Sequence, residues 1–408
     1  MELSQCDASK QNRHEAPRPH PAGRQQAALV GLMFLGFVSL GLPDGLLGVA
    51  WPSMAASNAV GLDALGWLIA AASLGFLAAS VLSGRLLARP GVGVLLALSC
   101  LLTALSLLGF AVAPAWWLLL PLALLLGAGG GAIDAGLNTY AAATHGPRVL
   151  SWLHACYGLG AAAGPIVMAS LLAAGRPWQL GYALVGAGQL ALAVCFALTR
   201  GHWRAGGAAP ALPQRSGPGL RSTLALPLVW LSAAVFLLYT GLEVTAGQWS
   251  FTLFTRGRGV EASRAGAWIS LYWAGLTVGR IAAGALAGRI TPQRMLWLGA
   301  LGATAGALLV GLVPMAWASV SGLLLMGVAL APIFPALIAT TAQRVGAAHA
   351  ANTIGLQVAA ANLGAALIPW AVGQGVGAGG PRLIGPALIA AAVAYLALFA
   401  LLARHTRA

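Results

Sequence analysis

Twelve stretches of about twenty predominantly apolar residues run through this chain, near 27–53, 62–87, 92–113, 115–142, 149–174, 178–199, 226–251, 265–288, 293–313, 316–341, 350–373 and 382–403. Such a stretch is what an α-helix needs to cross a hydrocarbon core about 30 Å thick. Lipid offers no partner to backbone N–H and C=O groups, so a segment of this kind is helical. With 59% hydrophobic residues and a mean hydropathy of +0.84, an ordinary soluble globule is excluded. The fold class expected is an all-α membrane protein with twelve transmembrane helices.

Charge fixes the expected orientation. The net charge of +14 comes from 22 basic and 8 acidic residues. With the N-terminus in the cytoplasm, sixteen of the basic residues fall on the inner side, five fall outside and Arg280 lies within a span. That asymmetry follows the positive-inside rule, puts both termini inside and gives no reason to invoke nucleic acid. One lysine against 21 arginines, with abundant Ala and Gly, is the composition of a GC-rich bacterial genome, so the cytoplasmic (inner) membrane of a bacterium is expected. Residues 1–26 are polar and read as a cytoplasmic tail, with the first span an uncleaved membrane signal. Cys6, Cys100, Cys156 and Cys195 show no paired spacing, so neither a disulfide framework nor a metal site is read.

The domain plan is a duplication. A polar, Pro/Gly-rich stretch at 200–225 separates a six-helix unit at 27–199 from another at 226–403, with 404–408 as a cytoplasmic C-terminal tail. GLPDGLLGVAW (41–51) lines up loosely with GLEVTAGQW (241–249), SGRLLARPG (83–91) with AGALAGRIT (283–291), LLGAGGGAI (125–133) with LMGVALAPI (325–333), and LGAAAGP (159–165) with LGAALIP (363–369). Two pseudo-symmetric six-helix bundles follow, with any binding site at mid-membrane between them. The spaced glycine pairs Gly127/Gly131, Gly160/Gly164, Gly275/Gly279 and Gly284/Gly288 are expected to let helices approach closely.

At these residues the chain resembles the major facilitator superfamily. The twelve-span duplicated plan carries the likeness, together with the loop Gly84-Arg85-Leu86-Leu87-Ala88-Arg89-Pro90-Gly91 and its echo Gly284-Ala285-Leu286-Ala287-Gly288-Arg289. The family's loop reads G-x-L-A-D-R-x-G-R-R, and here Ala88 and Gly288 stand at the acidic position. PDGLLGVAWP (43–52), GGGAIDAGLNTY (129–140) and WLHACYGLGAAAGP (152–165) resemble the fucose–proton symporter branch. Acids in spans one and four of that branch serve proton coupling and sugar binding, and the matching positions are Asp44 and Asp134.

The residues themselves point the same way. Only three of the eight acids, Asp44, Asp134 and Glu243, lie inside spans. A carboxylate there costs about 2.5–3.5 kcal/mol even on the lenient scale, so it needs a partner, a water-filled cavity or a proton. Asp44 follows Pro43, which bends a helix. Asp134 shares a helix face with Asn138 four residues on. His154, the only one of seven histidines inside a span, is expected at similar depth on the next helix, where a carboxylate and an imidazole can pass a proton. Asp44, Asp134 and His154 are therefore the proton-coupling candidates. The alternative for each is structural: a cap on a kinked helix, or a polar staple between helices.

Glu243 either lines the cavity from the second half or pairs with Arg256 or Arg258 at the outer mouth. Arg280 lies about 13 Å deeper than Arg289 at 1.5 Å per residue and is expected in a structural ion pair. Asn138, Gln357 and Asn362 are candidates for hydrogen bonds to a solute, and Tyr272 and Trp273 for stacking on it. Trp51, Trp249 and Trp268 could also stack on a solute, but read better as interface markers. No P-loop, nucleophile constellation or metal-ligand cluster is present, so neither an enzyme nor a cofactor is expected. The reading is a monomeric secondary transporter, working by alternating access, of protons and a small polar solute, sugar-like. Proton-coupled export of amphipathic compounds is the alternative, and a non-transporting membrane sensor a further one.

Overall fold

The computed structural model describes residues 21–88, 91–145, 147–203, 219–286 and 288–405. Most of the tail, the centre of the linker (204–218), two residues of the 84–91 loop and residues 406–408 lie outside them. Among the described residues the chain is helical, with no strand. Six long helices form the first half: α1 (Pro21–Ser57), α2 (Leu65–Ala88), α3 (Gly91–Val112), α4 (Trp116–Thr144), α5 (Pro147–Ala173) and α6 (Trp178–Thr199). Six form the second: α7 (Pro227–Thr252), α8 (Ala262–Ala285), α9 (Pro292–Leu312), α10 (Ala316–Leu330), α11 (Ala347–Gly379) and α12 (Ile384–Arg404).

Among the described residues, eleven of the candidate spans are long and apolar enough to cross a bilayer; α8 is not one of them, and the tenth reaches that length only together with the short helix that follows α10. The sequence of α8 holds Arg264, Arg280 and four glycines, and that polarity is what it contributes to the site described below. The tenth stretch, expected to be continuous, is broken. α10 ends at Leu330, and a separate short helix, Ile333–Ala339, follows the turn at Ala331 and Pro332. Pro332 and Pro335 have no N–H to give, so the backbone ladder cannot run through.

Helix pairing shows the duplication directly. In the first half α1 packs on α5, α2 on α4 and α3 on α6; in the second α7 packs on α11, α8 on α10 and α9 on α12. The glycines explain why the approach is equally close in both. A Cβ at Gly127 of α4 would overlap the Ala72 carbonyl oxygen of α2, and a Cβ at Gly327 of α10 would overlap that of Tyr272 on α8. Gly160 of α5 lies on the Val38 carbonyl as Gly364 of α11 lies on that of Leu237. Three of the four expected glycine pairs pack in this way. Gly284 and Gly288 do not: a Cβ on either meets open space, and Gly288 has a φ of +89°, so it serves a turn rather than a helix contact.

The halves meet through symmetry-related contacts, α5 on α8 and α2 on α11, with α1 also touching α7. Several of their close approaches lie toward the end opposite the termini, where Gly66 abuts Trp370, Gly373 abuts Asp63, Gly266 abuts Ala169 and Gly48 abuts Gln248, and another, Gly158 on Thr277, lies nearer the middle of α5 and α8. Large apolar side chains such as Leu98, Leu105, Trp117, Leu198, Trp230 and Trp317 are left exposed, as suits a lipid-facing surface. Trp51 and Trp249 are not interface markers. Both are fully buried, and their indole N–H groups donate to the carbonyls of Leu62 (2.8 Å) and Pro369 (3.0 Å). Trp268 is half-buried, edge-on to Phe254.

Candidate functional site

A cavity of about 470 Å³ lies between the halves, and Asp44, Asp134, His154, Glu243 and Arg280 all stand on its wall. Each acid is presented by a different local device.

On α1, Pro43 cannot donate to the carbonyl one turn back, and the flanking Gly41 and Gly45 let α5 lie directly on the helix. The residue that Gly41 meets is Tyr157. Its phenol donates to Asp44 Oδ2 at 2.6 Å, while the carboxylate stays open to the cavity. Tyr157 lies three residues after His154 on the same helix face, a spacing that marks it in the sequence once α5 is known to line a cavity.

On α4, the run Gly129-Gly130-Gly131 lets the helix sink against Thr103 of α3 and Phe76 of α2. One turn further, Asp134 reaches the cavity and Asn138 Nδ2 donates to its Oδ1 at 3.1 Å. Asn138 therefore lies outside the cavity wall and orients the carboxylate instead of meeting a solute. His154 is also at the cavity, but its ring packs edge-on against Phe37 with centroids 5.4 Å apart. Among the described residues it makes no hydrogen bond to Asp134, whose partner is Asn138.

Glu243 is neutralised within its own half. Arg280 Nη2 lies 3.2 Å from its Oε1, and Tyr239, one turn earlier on α7, donates to Oε2. Tyr272 donates to the Glu243 backbone carbonyl at 2.8 Å. The expected ion pair of Arg280 thus has Glu243 as its acid, and the outer-mouth alternative falls: Arg258 instead donates to Ser319 Oγ and to the Val310 carbonyl.

Two further solute candidates, besides Asn138, are displaced from the cavity. Tyr272 is fully buried with its hydroxyl committed to Glu243. Gln357 is also fully buried, between Ser232 Oγ (2.5 Å) and Thr341 Oγ1 (3.0 Å), where it ties α11 to α7. Trp273 and Asn362 do stand on the wall. Further polar residues there were not singled out from the sequence, among them Tyr157, Tyr239, Thr240 and Gln248. Uncharged polar residues carry no signal of depth, and only the helix contacts reveal them.

Two pseudo-symmetric six-helix bundles around a cavity that holds these charged side chains define the architecture of a membrane transporter that works between its halves. The chain belongs to the Major Facilitator Superfamily, whose sequence model matches residues 33–369. No curated protein matches the sequence. Among solved structures, the chain is similar to a bacterial homologue of the human lysosomal transporter Spinster in an inward-facing, occupied conformation. The identity is 16% and the TM-score 0.68, over 94% of this chain and 96% of that one. The inward-facing, unoccupied form gives a TM-score of 0.70 at 16% identity, over 95% and 97%. A mutant of the nucleoside transporter NupG gives 0.72 at 13% identity, over 90% and 98%. At these identities the likeness is one of fold.

Proposed function

We propose that this protein carries a small polar solute, sugar-like, together with protons across the bacterial cytoplasmic membrane, as a monomer working by alternating access. The observation that carries the proposal is the pair Asp44 and Asp134. Both are carboxylates on the wall of an inter-bundle cavity, and each is hydrogen-bonded to a neutral side chain (Tyr157, Asn138) with no ion pair among the described residues. A membrane acid held this way has water and a proton as its remaining means of compensation. His154 opens on the same cavity and is the third group able to exchange a proton there. The likeness of spans one, four and five to the fucose–proton symporter branch supports a sugar as the solute. Trp273 and Asn362 are the solute contacts this reading assigns. With both termini in the cytoplasm, the end where Gly48, Gly66, Gly266 and Gly373 bring the halves together is the outer one, which supports a cavity that addresses the cytoplasm, as in the inward-facing forms of the Spinster homologue.

Export of amphipathic compounds against protons is the second reading, favoured by the apolar part of the wall: Phe37, Leu47, Leu68, Ile69, Phe76 and Phe110. Proteoliposomes decide between them. Adding a transported sugar outside should alkalinise the external medium, and Asp44→Asn and Asp134→Asn should each remove the signal. Discharge of an imposed pH gradient by amphipathic cations alone would move the assignment to export. Sugar-driven proton flow that survives both substitutions would overturn the coupling role.

A further inference from the structure

Gln248 of α7 touches both halves of the molecule with one side chain. Its Nε2 donates across the interface to the backbone carbonyl of Asp44 on α1, at 2.9 Å. α1 can come so near because residue 48 is glycine: a Cβ there would lie 2.7 Å from the Gln248 carbonyl oxygen. The other end of the amide is unsatisfied. Gln248 stands on the cavity wall at 5% exposure, and its Oε1 is buried without a partner among the described residues. A buried amide oxygen left in this way is costly, and proteins rarely leave one without water or ligand.

Trp273 of α8 supplies the complementary group. It is 4% exposed, lines the same cavity, and its indole Nε1–H is also buried without a partner among the described residues. Its ring lies against Gly247, the residue next to Gln248, where a Cβ would fall 2.5 Å from the indole. The charge nearest in sequence, Glu243, is already matched by Arg280 and Tyr239. Gln248 and Trp273 therefore offer one free acceptor and one free donor, and neither side chain is charged. A hydroxyl has the chemistry to meet either, since it can donate to Oε1 and can accept from Nε1–H. A carboxylate would face the amide oxygen with no proton to give, and an ammonium would leave the indole unmet.

We infer that Gln248 and Trp273 form a neutral, hydroxyl-binding subsite of the cavity, and that Gln248 also latches the two halves together through the Asp44 carbonyl. The inference rests on the transporter reading above and adds a link to it. The residue whose carboxylate faces the proton path is the residue whose carbonyl holds the closed end. Occupancy of the subsite fixes the Gln248 side chain in the orientation that makes the latch.

Hydrogen–deuterium exchange on the full-length protein in lipid nanodiscs tests both parts, with wild type, Gln248→Met and Trp273→Phe compared. Without solute, Gln248→Met should speed exchange at 57–66 and 252–262 by about five-fold, the scale of one lost neutral hydrogen bond. Trp273→Phe, which removes no bond of the latch, should leave those segments unchanged. With L-fucose or D-galactose at millimolar concentration, the wild type should become protected there, and either variant should need at least about ten-fold more sugar, equivalent to 1.4 kcal/mol. Wild-type exchange in solute-free Gln248→Met overturns the latch. Undiminished sugar protection in Trp273→Phe overturns the subsite. If neither sugar protects the wild type, the sugar reading fails and the solute-free comparison still decides the latch. Protection by tetraphenylphosphonium that is equal in wild type and Trp273→Phe would overturn the neutral subsite and favour export.

Discussion

Asp44 on α1 and Glu243 on α7 stand on corresponding helices of the two halves, and both line the cavity, yet their surroundings are opposite. Glu243 is held by an arginine and a tyrosine of its own half, Arg280 at 3.2 Å and Tyr239. Asp44 has one neutral donor, Tyr157, and an open side toward the cavity. The second N-terminal acid, Asp134, is likewise held by a neutral amide, Asn138. Duplication preserved the backbone, down to which glycine lies on which carbonyl, while the polar side chains diverged. A charge with a fixed counter-charge is a poor proton carrier and a good brace. A charge with only neutral partners is the reverse. On the function proposed above, the N-terminal bundle is the proton-handling half, and the C-terminal bundle presents a locally neutral wall to the solute.

The largest effect that separates the halves should come from neutralising the N-terminal acids. Asp134→Asn and Asp44→Asn are each expected to lower proton-driven accumulation by roughly 100-fold, on the scale of losing a group that carries the proton, while counterflow exchange persists in part. Accumulation assays in energised vesicles, set beside solute exchange in the absence of a gradient, measure this. Unchanged accumulation in either variant would break the comparison at once.

Next in size is the brace. Glu243→Gln leaves Arg280 with no acid beside it. The two side chains are 12% and 30% exposed, so the cost falls between that of a surface pair and a fully buried one, about 2 kcal/mol. A lower Tm in detergent should report it, and Glu243→Gln/Arg280→Met should regain most of the loss. Should Glu243→Gln keep its Tm and lose coupling instead, Glu243 is a third proton carrier and the division between halves is wrong.

Tyr157→Phe sharpens the contrast from the other side. It removes a hydrogen bond to a charged group, on the order of 1.5–3 kcal/mol, without changing shape. Because Asp44 remains open to cavity water, the effect should fall on transport turnover, about ten-fold, with little movement of Tm. A fall in Tm as large as that of Glu243→Gln would make Tyr157 a brace as well.

What the sequence made legible follows from what membrane burial makes visible. A charged residue in an apolar run stands out in one dimension, so Asp44, Asp134, Glu243 and Arg280 were found, and all four line the cavity. The helices and the duplication were legible for the same reason, α8 included. Which way an uncharged side chain points was not. In a soluble helix the polar face marks the outside, but here lipid and core are equally apolar and no face is marked. Gln357, Tyr272 and Asn138 were therefore indistinguishable from Asn362 and Trp273 until helix contacts separated them. Gln248, which bridges the halves, carried no signal beyond its place near Trp249. Trp51 and Trp249 were misread because aromatic residues near span ends mark the interface only when they face lipid.

Two residues of α11 turn that lesson into the smallest and most selective test. Gln357 is fully buried, donating to Ser232 and accepting from Thr341, while Asn362, a turn and a half further on, faces the cavity. Gln357→Met strands little: Thr341 keeps its bond to the Leu337 carbonyl at 2.9 Å, and Ser232 loses one partner. The expected cost is about 1 kcal/mol, read as a slightly lower Tm, with KM and proton coupling unchanged. Asn362→Ala should do the opposite and raise KM several-fold at constant Tm, because among the described residues its amide is bonded only to the Val358 carbonyl of its own helix, a backbone group within the same helix. If Gln357→Met shifted KM and Asn362→Ala shifted only Tm, the wall drawn here for the C-terminal half would be on the wrong face of α11, and with it the claim that this half meets the solute through neutral groups.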